Sequence, residues 1–206
     1  RDRAATRTAS TPARRHRYRP IQAASLPYLP GQRGEPQVRD TLARWLGEPG
    51  PPPLARDPSG RPRLLAPHQD HDTGWSHSGE QLLLALGRGV TLGVDLERLR
   101  PRPRALELAD RFFAPGEAGR LQALAPERRE LAFLRLWCAK EAVLKAHGQG
   151  LSFGLHRLEF IPDGDDEHAP LRLLASDPEL GAASDWQLHE WIPAPGYLAA
   201  LAWHPR

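Results

Sequence analysis

One long stretch of helical period, Leu131–His147, stands among short apolar runs that alternate with period two, and this mixture constrains the fold most. Apolar residues recurring three and four apart line one helix face, and Gly148 closes the helix. The runs Gln81–Leu86 and Val90–Glu97 flank Gly87–Arg88–Gly89 and read as a hairpin. A second hairpin joins Trp186–Ile192 to Tyr197–Trp203 around Pro193–Gly196. Phe153–Ile161 and Leu171–Ala175 read as further strands, with a short one at Arg63–Ala66. A shorter amphipathic helix spans Glu35–Leu46, with Val38, Leu42, Trp45 and Leu46 on one face and Gly47 at its end. Residues 105–125 read as two helical pieces interrupted at Pro115–Gly116, whereas 21–34 and most of 47–74 read as irregular. Helices set among antiparallel hairpins, without regular βαβ alternation, give the α+β class. Each half carries a helix and a hairpin, which suggests an N-terminal unit at 21–90 and a C-terminal unit at 91–206.

Charge is unevenly placed. The 206 residues carry a formal net charge of +3. Residues 1–20 hold seven arginines against the single acid Asp2, a net of +6, which leaves residues 21–206 at −3. The high isoelectric point therefore belongs to a basic tail, expected to be a disordered leader. Nucleic-acid binding by the body is not expected, and a module acting through the tail is the non-enzymatic alternative. Only two of the 28 basic residues are lysines, Lys140 and Lys145, five positions apart. The single cysteine, Cys138, allows no internal disulfide and reads as a packing residue. The longest apolar runs are too short to cross a bilayer, and no apolar segment follows the N-terminal arginines. A cytoplasmic protein without a membrane partner is the resulting expectation.

Three clusters carry chemistry. In Val90–Glu97 the apolar residues Val90, Leu92, Val94 and Leu96 alternate, so Asp95 and Glu97 share the opposite face, roughly 7 Å apart, with Gly93 leaving room beside them. The pair reads either as the solvated face of an edge strand or as a site for Mg²⁺, which takes one or two carboxylates and completes its shell with water and phosphate. Glu141 and Lys145 lie one helical turn apart. They form either an ordinary surface pair or, on a helix flanked by Leu134, Trp137, Cys138 and Leu144, groups turned to a ligand. Ser76–His77–Ser78–Gly79 reads as a turn whose hydroxyls, imidazole and amides suit phosphate, or as a plain turn with a surface histidine. Asp70, His71, Asp72 and His77 match no usual zinc spacing.

Taken together, Gly93–Glu97, then Arg111–Phe112–Phe113 with Glu117, then Leu136–Lys145 resemble the Sfp type of 4′-phosphopantetheinyl transferase. Gly60–Arg61–Pro62, Trp75–Gly79 and Gly148–Leu151 resemble flanking segments of the same family. The resemblance implies two similar α+β halves related by a pseudo-two-fold, with the active site at their junction. It implies transfer of phosphopantetheine from coenzyme A to a serine of an apo acyl or peptidyl carrier protein, with release of adenosine 3′,5′-bisphosphate, by a monomer. Asp95, Glu97 and Glu141 would hold Mg²⁺, Glu141 would take the serine proton, and Lys145 would stabilise the β-phosphoryl oxygens, so Asp95, Glu141 and Lys145 form the catalytic set. Arg61, Ser76, His77, Lys140 and Lys145 would contact coenzyme A. The carboxylates alone also fit another Mg²⁺-dependent phosphotransferase or phosphohydrolase.

Overall fold

The computed structural model describes residues 21–166 and 168–206, so the expectation for the arginine-rich tail, residues 1–20, lies outside the described residues. The elements run β1 (Ile21–Pro27), α1 (Glu35–Leu46), β2 (Leu54–Arg56), β3 (Pro62–Leu64), β4 (His71–Ser78) and β5 (Gln81–Arg88). They continue with β6 (Val90–Arg98), α2 (Ala105–Phe112), α3 (Pro115–Ala123), α4 (Pro126–His147), β7 (Leu158–Pro162), β8 (Leu171–Ser176), β9 (Gln187–Trp191) and β10 (Tyr197–Pro205). Two three-stranded antiparallel sheets, β1-β5-β4 and β6-β10-β9, stand beside two-stranded ribbons β2–β3 and β7–β8. The class is α+β. Among the described residues no helix is long and apolar enough to cross a membrane.

The expected hairpin between the runs at 81–86 and 90–97 does not form. The strand β5 turns back on β4 through Gly79–Glu80, pairing Ser78 with Gln81 and His71 with Arg88. The strand β6 pairs instead with β10, Val90 opposite Pro205 and Arg98 opposite Tyr197. Burial explains the exchange. Leu82 to Gly87 are buried without alternation, as suits a strand held between β1 and β4, and Gly89, at φ +69°, passes the chain into the other sheet. Ser76, His77 and Ser78 are correspondingly the end of a strand, and of the expected turn segment Gly79 alone lies in the turn. The first strand, β1, was legible only as irregular chain, because Gln22, Ala23, Ala24 and Ser25 form a largely uncovered edge with no alternating pattern.

The two sheets meet where β4 runs parallel to β6. Asp72, Ser76 and Ser78 accept hydrogen bonds from the backbone N–H groups of Leu92, Leu96 and Arg98, at 2.8, 3.3 and 3.1 Å. Side chains thus do the joining that backbone carbonyls do within a sheet, and β4 can be polar because its polar groups have partners.

The helix breaks also differ from expectation. The break between α2 and α3 falls at Phe113–Ala114, and Pro115 opens α3, where its missing N–H is not needed. Pro126 likewise opens α4, one turn before the apolar period begins. The expected strand at Phe153–Ile161 begins only at Leu158, after two short 3₁₀ turns that pivot on Gly154. The helix α4 packs its apolar residues, Phe133 among them, into a core with Leu121, Phe160, Leu198 and Ala200. Leu92, Val94 and Leu96 point the other way, into a second core with Ile21, Leu83 and Leu201. A third core seats α1 on β5 through Val38, Leu42, Leu82 and Leu84.

Candidate active site

The site is assembled by one close approach. A Cβ added to Gly93 would meet the Ala142 carbonyl oxygen at 2.1 Å and the Ala146 nitrogen at 2.4 Å. The room that glycine leaves beside the carboxylates is therefore filled by the backbone of α4 itself. This contact brings Glu141 and Lys145, one turn apart on α4, to Asp95 and Glu97 on β6.

Asp95 lies at the centre, 3% exposed. Its Oδ1 accepts a hydrogen bond from the Lys145 Nζ at 2.6 Å and from the Ser76 hydroxyl at 3.4 Å. Lys145 also donates to Ser76 Oγ at 3.1 Å. The second carboxylate oxygen, Oδ2, is buried and has no hydrogen-bond partner. Glu97 stands at the rim, 3.7 Å from Arg102. Burial, then the charge of Asp95, pushes its pKa up to about 8. Burial and the same Asp95 charge raise the Glu141 pKa. Burial opposes the Lys145 ammonium, but Asp95, as ion pair and hydrogen-bond acceptor, carries its pKa above the usual lysine value with help from Glu141.

Three carboxylates thus face one ammonium, and two resist ionising. That arrangement suits a hard dication. An added charge of +2 would remove the repulsion, and the buried Asp95 Oδ2, beside the Glu97 carboxyl, offers an acceptor that no N–H group satisfies. Among the described residues no group of three or more His, Cys, Asp or Glu side chains is placed to hold a metal ion by itself. Mg²⁺ does not require one, because water and phosphate oxygens ordinarily complete its shell.

Other expected residues fall elsewhere. Ser76 belongs to the cluster, whereas His77, next along the strand, lies on the opposite face of β4, exposed and stacked on Tyr28 with ring centroids 4.5 Å apart. Arg61 is not a free phosphate ligand. It is 6% exposed, both its Nη atoms reach Asp72, Nη2 also reaches the Leu92 carbonyl at 2.6 Å, and Nε reaches the Lys145 carbonyl at 3.2 Å. Four of its five N–H groups are engaged within the protein, although it also lines the cleft described below.

Lys140 is enclosed more completely still. It is 0% exposed, pairs with Glu117 Oε1 at 2.6 Å, donates to the Leu155 carbonyl at 2.7 Å, and also donates to the Leu158 carbonyl. All three ammonium protons have partners inside the protein. Five residues along a helix turn a side chain about 140° around its axis. That spacing was the available sign that Lys140 and Lys145 face different surroundings. Cys138 is buried as expected, its thiol donating to the Asp95 carbonyl at 3.5 Å. Sequence reasoning missed Asp72, which holds Arg61.

A cleft of 240 Å³ opens beside Lys145, lined by Arg56, Gly60, Pro62, Trp75, Gly93 and Gly148, among others. It lies where the β2–β3 turn, β4 and the end of α4 converge. A larger hollow between α4 and the chain before β8 shares no residue with the carboxylate cluster.

The family model describing the 4′-phosphopantetheinyl transferase superfamily matches residues 91–202, which include Asp95, Glu97, Glu141 and Lys145. The 4′-phosphopantetheinyl transferase HetI of Nostoc is 33% identical over 178 residues, covering 82% of this chain and 70% of its own. AcpT, a 4′-phosphopantetheinyl transferase of Escherichia coli, is 31% identical over 137 residues, with 62% of this chain and 68% of its own covered. The Synechocystis protein slr0495 is 40% identical over 134 residues, 64% of this chain but only 51% of its own, so the chain spans about half the length of that relative. Among solved structures, holo-[acyl-carrier-protein] synthase of Thermotoga maritima superposes loosely, with a TM-score of 0.41 at 18% identity over 57% of this chain and 64% of that one. The chain belongs to the 4′-phosphopantetheinyl transferase superfamily.

Proposed function

We propose that this protein transfers 4′-phosphopantetheine from coenzyme A to a serine hydroxyl of an apo acyl or peptidyl carrier protein, releasing adenosine 3′,5′-bisphosphate. The observation that carries the reading is the buried, unpartnered Oδ2 of Asp95 inside a cluster of three carboxylates and one ammonium. Asp95, Glu97 and Glu141 would hold Mg²⁺, which when bound neutralises negative charge on the pyrophosphate and on the leaving oxygen. Coenzyme A would lie in the cleft beside Lys145. There the compact ammonium of Lys145, kept protonated by Asp95, stabilises the β-phosphoryl oxygens. Glu141 takes the serine proton, directly or through a water. Ser76 fixes the position of the Lys145 ammonium, and exposed His77 remains the candidate for the nucleotide end of the substrate.

The two sheets support an internal pseudo-two-fold. In each, the unit's last strand lies between its first and its penultimate strand, β1-β5-β4 against β6-β10-β9, and the first strand is followed by helix and then a two-stranded ribbon, one helix in the first unit and three in the second. The units we infer are residues 21–90 and 91–206, with the site at their junction. A monomer working in the cytoplasm completes the reading.

The test is incubation with coenzyme A, Mg²⁺ and a panel of apo carrier proteins, read by intact mass. A phosphopantetheine-sized adduct on one carrier is expected. Its absence on every carrier refutes the proposal. Glu141→Gln should keep the fold and coenzyme A binding while losing turnover, and normal turnover would move the base elsewhere.

A further inference from the structure

Arg61 was expected to touch substrate, yet its guanidinium lies inside the protein on backbone that belongs to the catalytic elements. Asp72, 1% exposed, orients the fork by accepting from both Nη atoms and also accepts the Leu92 N–H at 2.8 Å. The remaining bonds run to two carbonyls of the other half of the chain. Leu92 sits three residues before Asp95 on β6, and Lys145 carries the ammonium on the last turns of α4. The final carbonyls of a helix have no partner within it, so Arg61 supplies one at Lys145 and adds positive charge at the helix end that favours it. One rigid planar group therefore spans the two backbones whose side chains form the 2.6 Å contact between Lys145 and Asp95.

We propose that Arg61, oriented by Asp72, is a positioning residue that sets the end of α4 against β6 and so fixes Lys145 on Asp95. This inference rests on the transferase reading for its kinetic consequence but not for its geometry. Arg61 is carried by the β2–β3 turn, where Asp57 accepts from the N–H groups of Ser59 and Arg61 at 3.0 Å each. The N-terminal half thus reaches across the junction to hold catalytic geometry in the C-terminal half, while the same residue forms a wall of the cleft beside Lys145.

The test compares wild type with Arg61→Gln, Lys145→Ala and the double variant. Arg61→Gln should lower kcat on the order of 10²-fold, the scale of a misplaced catalytic group, with the KM for coenzyme A within about threefold of wild type. In the Lys145→Ala background, Arg61→Gln should cost nothing further, because the group it positions is gone. A KM raised tenfold or more with kcat kept would make Arg61 a substrate ligand, and losses that multiply in the double variant would show that it acts independently of Lys145. Either result overturns the proposal. If Arg61→Gln does not fold because buried Asp72 keeps only Arg206, 3.6 Å away, Arg61→Gln with Asp72→Asn removes that charge and takes its place.

A second readout needs no activity. Lys140 is fully buried, so the peptide bearing Lys145 can be followed alone during reductive methylation with formaldehyde. Loosening Lys145 from Asp95 and Ser76 should measurably speed its modification, because an amine no longer held by those two oxygens is easier for the reagent to reach. If the wild type transfers nothing to any carrier, the transferase reading fails, and this rate still decides the positioning role. An unchanged rate overturns it.

Discussion

Replacing Lys140 by Met tests the reading that this lysine holds the fold and does not bind substrate. Lys140 and Glu117 are both 0% exposed, with a 2.6 Å contact between them. Lys140 Nζ also serves the carbonyls of Leu155 and Leu158, while Glu117 accepts the Ala114 N–H at 3.0 Å and the Phe160 N–H at 2.9 Å. The network ties the start of α3, the middle of α4, the 3₁₀ turn before β7 and β7 itself. Burial pushes the pKa of Lys140 down and that of Glu117 up, so neither charge is comfortable without the other. Lys140→Met fills much of the space but strands the carboxylate and two carbonyls. Breaking a buried pair from one side costs about 3–5 kcal/mol. For a chain of this size that lowers Tm by roughly 10 °C. Changing Glu117→Gln in the same chain should recover more than half of the loss, because the stranded charge disappears while an acceptor for Ala114 and Phe160 remains. Urea denaturation followed by circular dichroism measures both variants, and steady-state kinetics gives the KM for coenzyme A. Wild-type stability in Lys140→Met together with a strongly raised KM would refute this reasoning and return Lys140 to the phosphate.

Glu97 gives a pH dependence. Its pKa rises from 4.5 to about 8 on folding, so the folded state keeps a proton that the unfolded chain releases. That stability is complete below pH 4.5 and is lost as pH rises through 8, by at most about 5 kcal/mol at about 1.4 kcal/mol per pH unit. Glu97→Gln should flatten the loss, and Mg²⁺ at pH 8 should raise Tm in the wild type. A flat profile between pH 5 and 8 with no effect of Mg²⁺ would count against the site. Gly93→Ala forces a methyl group onto the Ala142 carbonyl, backbone that cannot swing aside, and should cost roughly 1–3 kcal/mol and most of the transfer activity. Wild-type kinetics in that variant would mean that α4 can retreat without consequence. Lys145→Arg should lose most of kcat, since a planar fork does not reproduce a compact ammonium on Asp95 Oδ1, and full activity would remove Lys145 from the chemistry.

Local chemistry determined more of this protein than its pairing did. The α+β class, the bounds of α1, the end of α4 at Gly148 and the sharing of one strand face by Asp95 and Glu97 all follow from period, capping and alternation, each set within a few residues. The same holds for Glu141 and Lys145, which one helical turn brings together. Strand partners were different. Nothing within residues 81–97 says that β5 and β6 enter separate sheets, because backbone hydrogen bonds are equally available to any neighbour, and the choice is made by cores that gather residues far apart in sequence.

Tertiary structure alone also sorted the cations. Arg61, Lys140 and Lys145 read alike as phosphate contacts, since each carries a positive charge inside a matching motif. Burial separates them. Arg61 has four of its N–H groups taken up by Asp72 and two carbonyls, Lys140 is closed in by Glu117 and two more, and Lys145 opens onto the cleft with 37% of its side chain exposed. A charge in low dielectric must be paired wherever packing leaves it, and packing depends on the whole chain. The sequence by itself named the chemistry available to the site, and the tertiary structure decided which of those charges can reach a substrate.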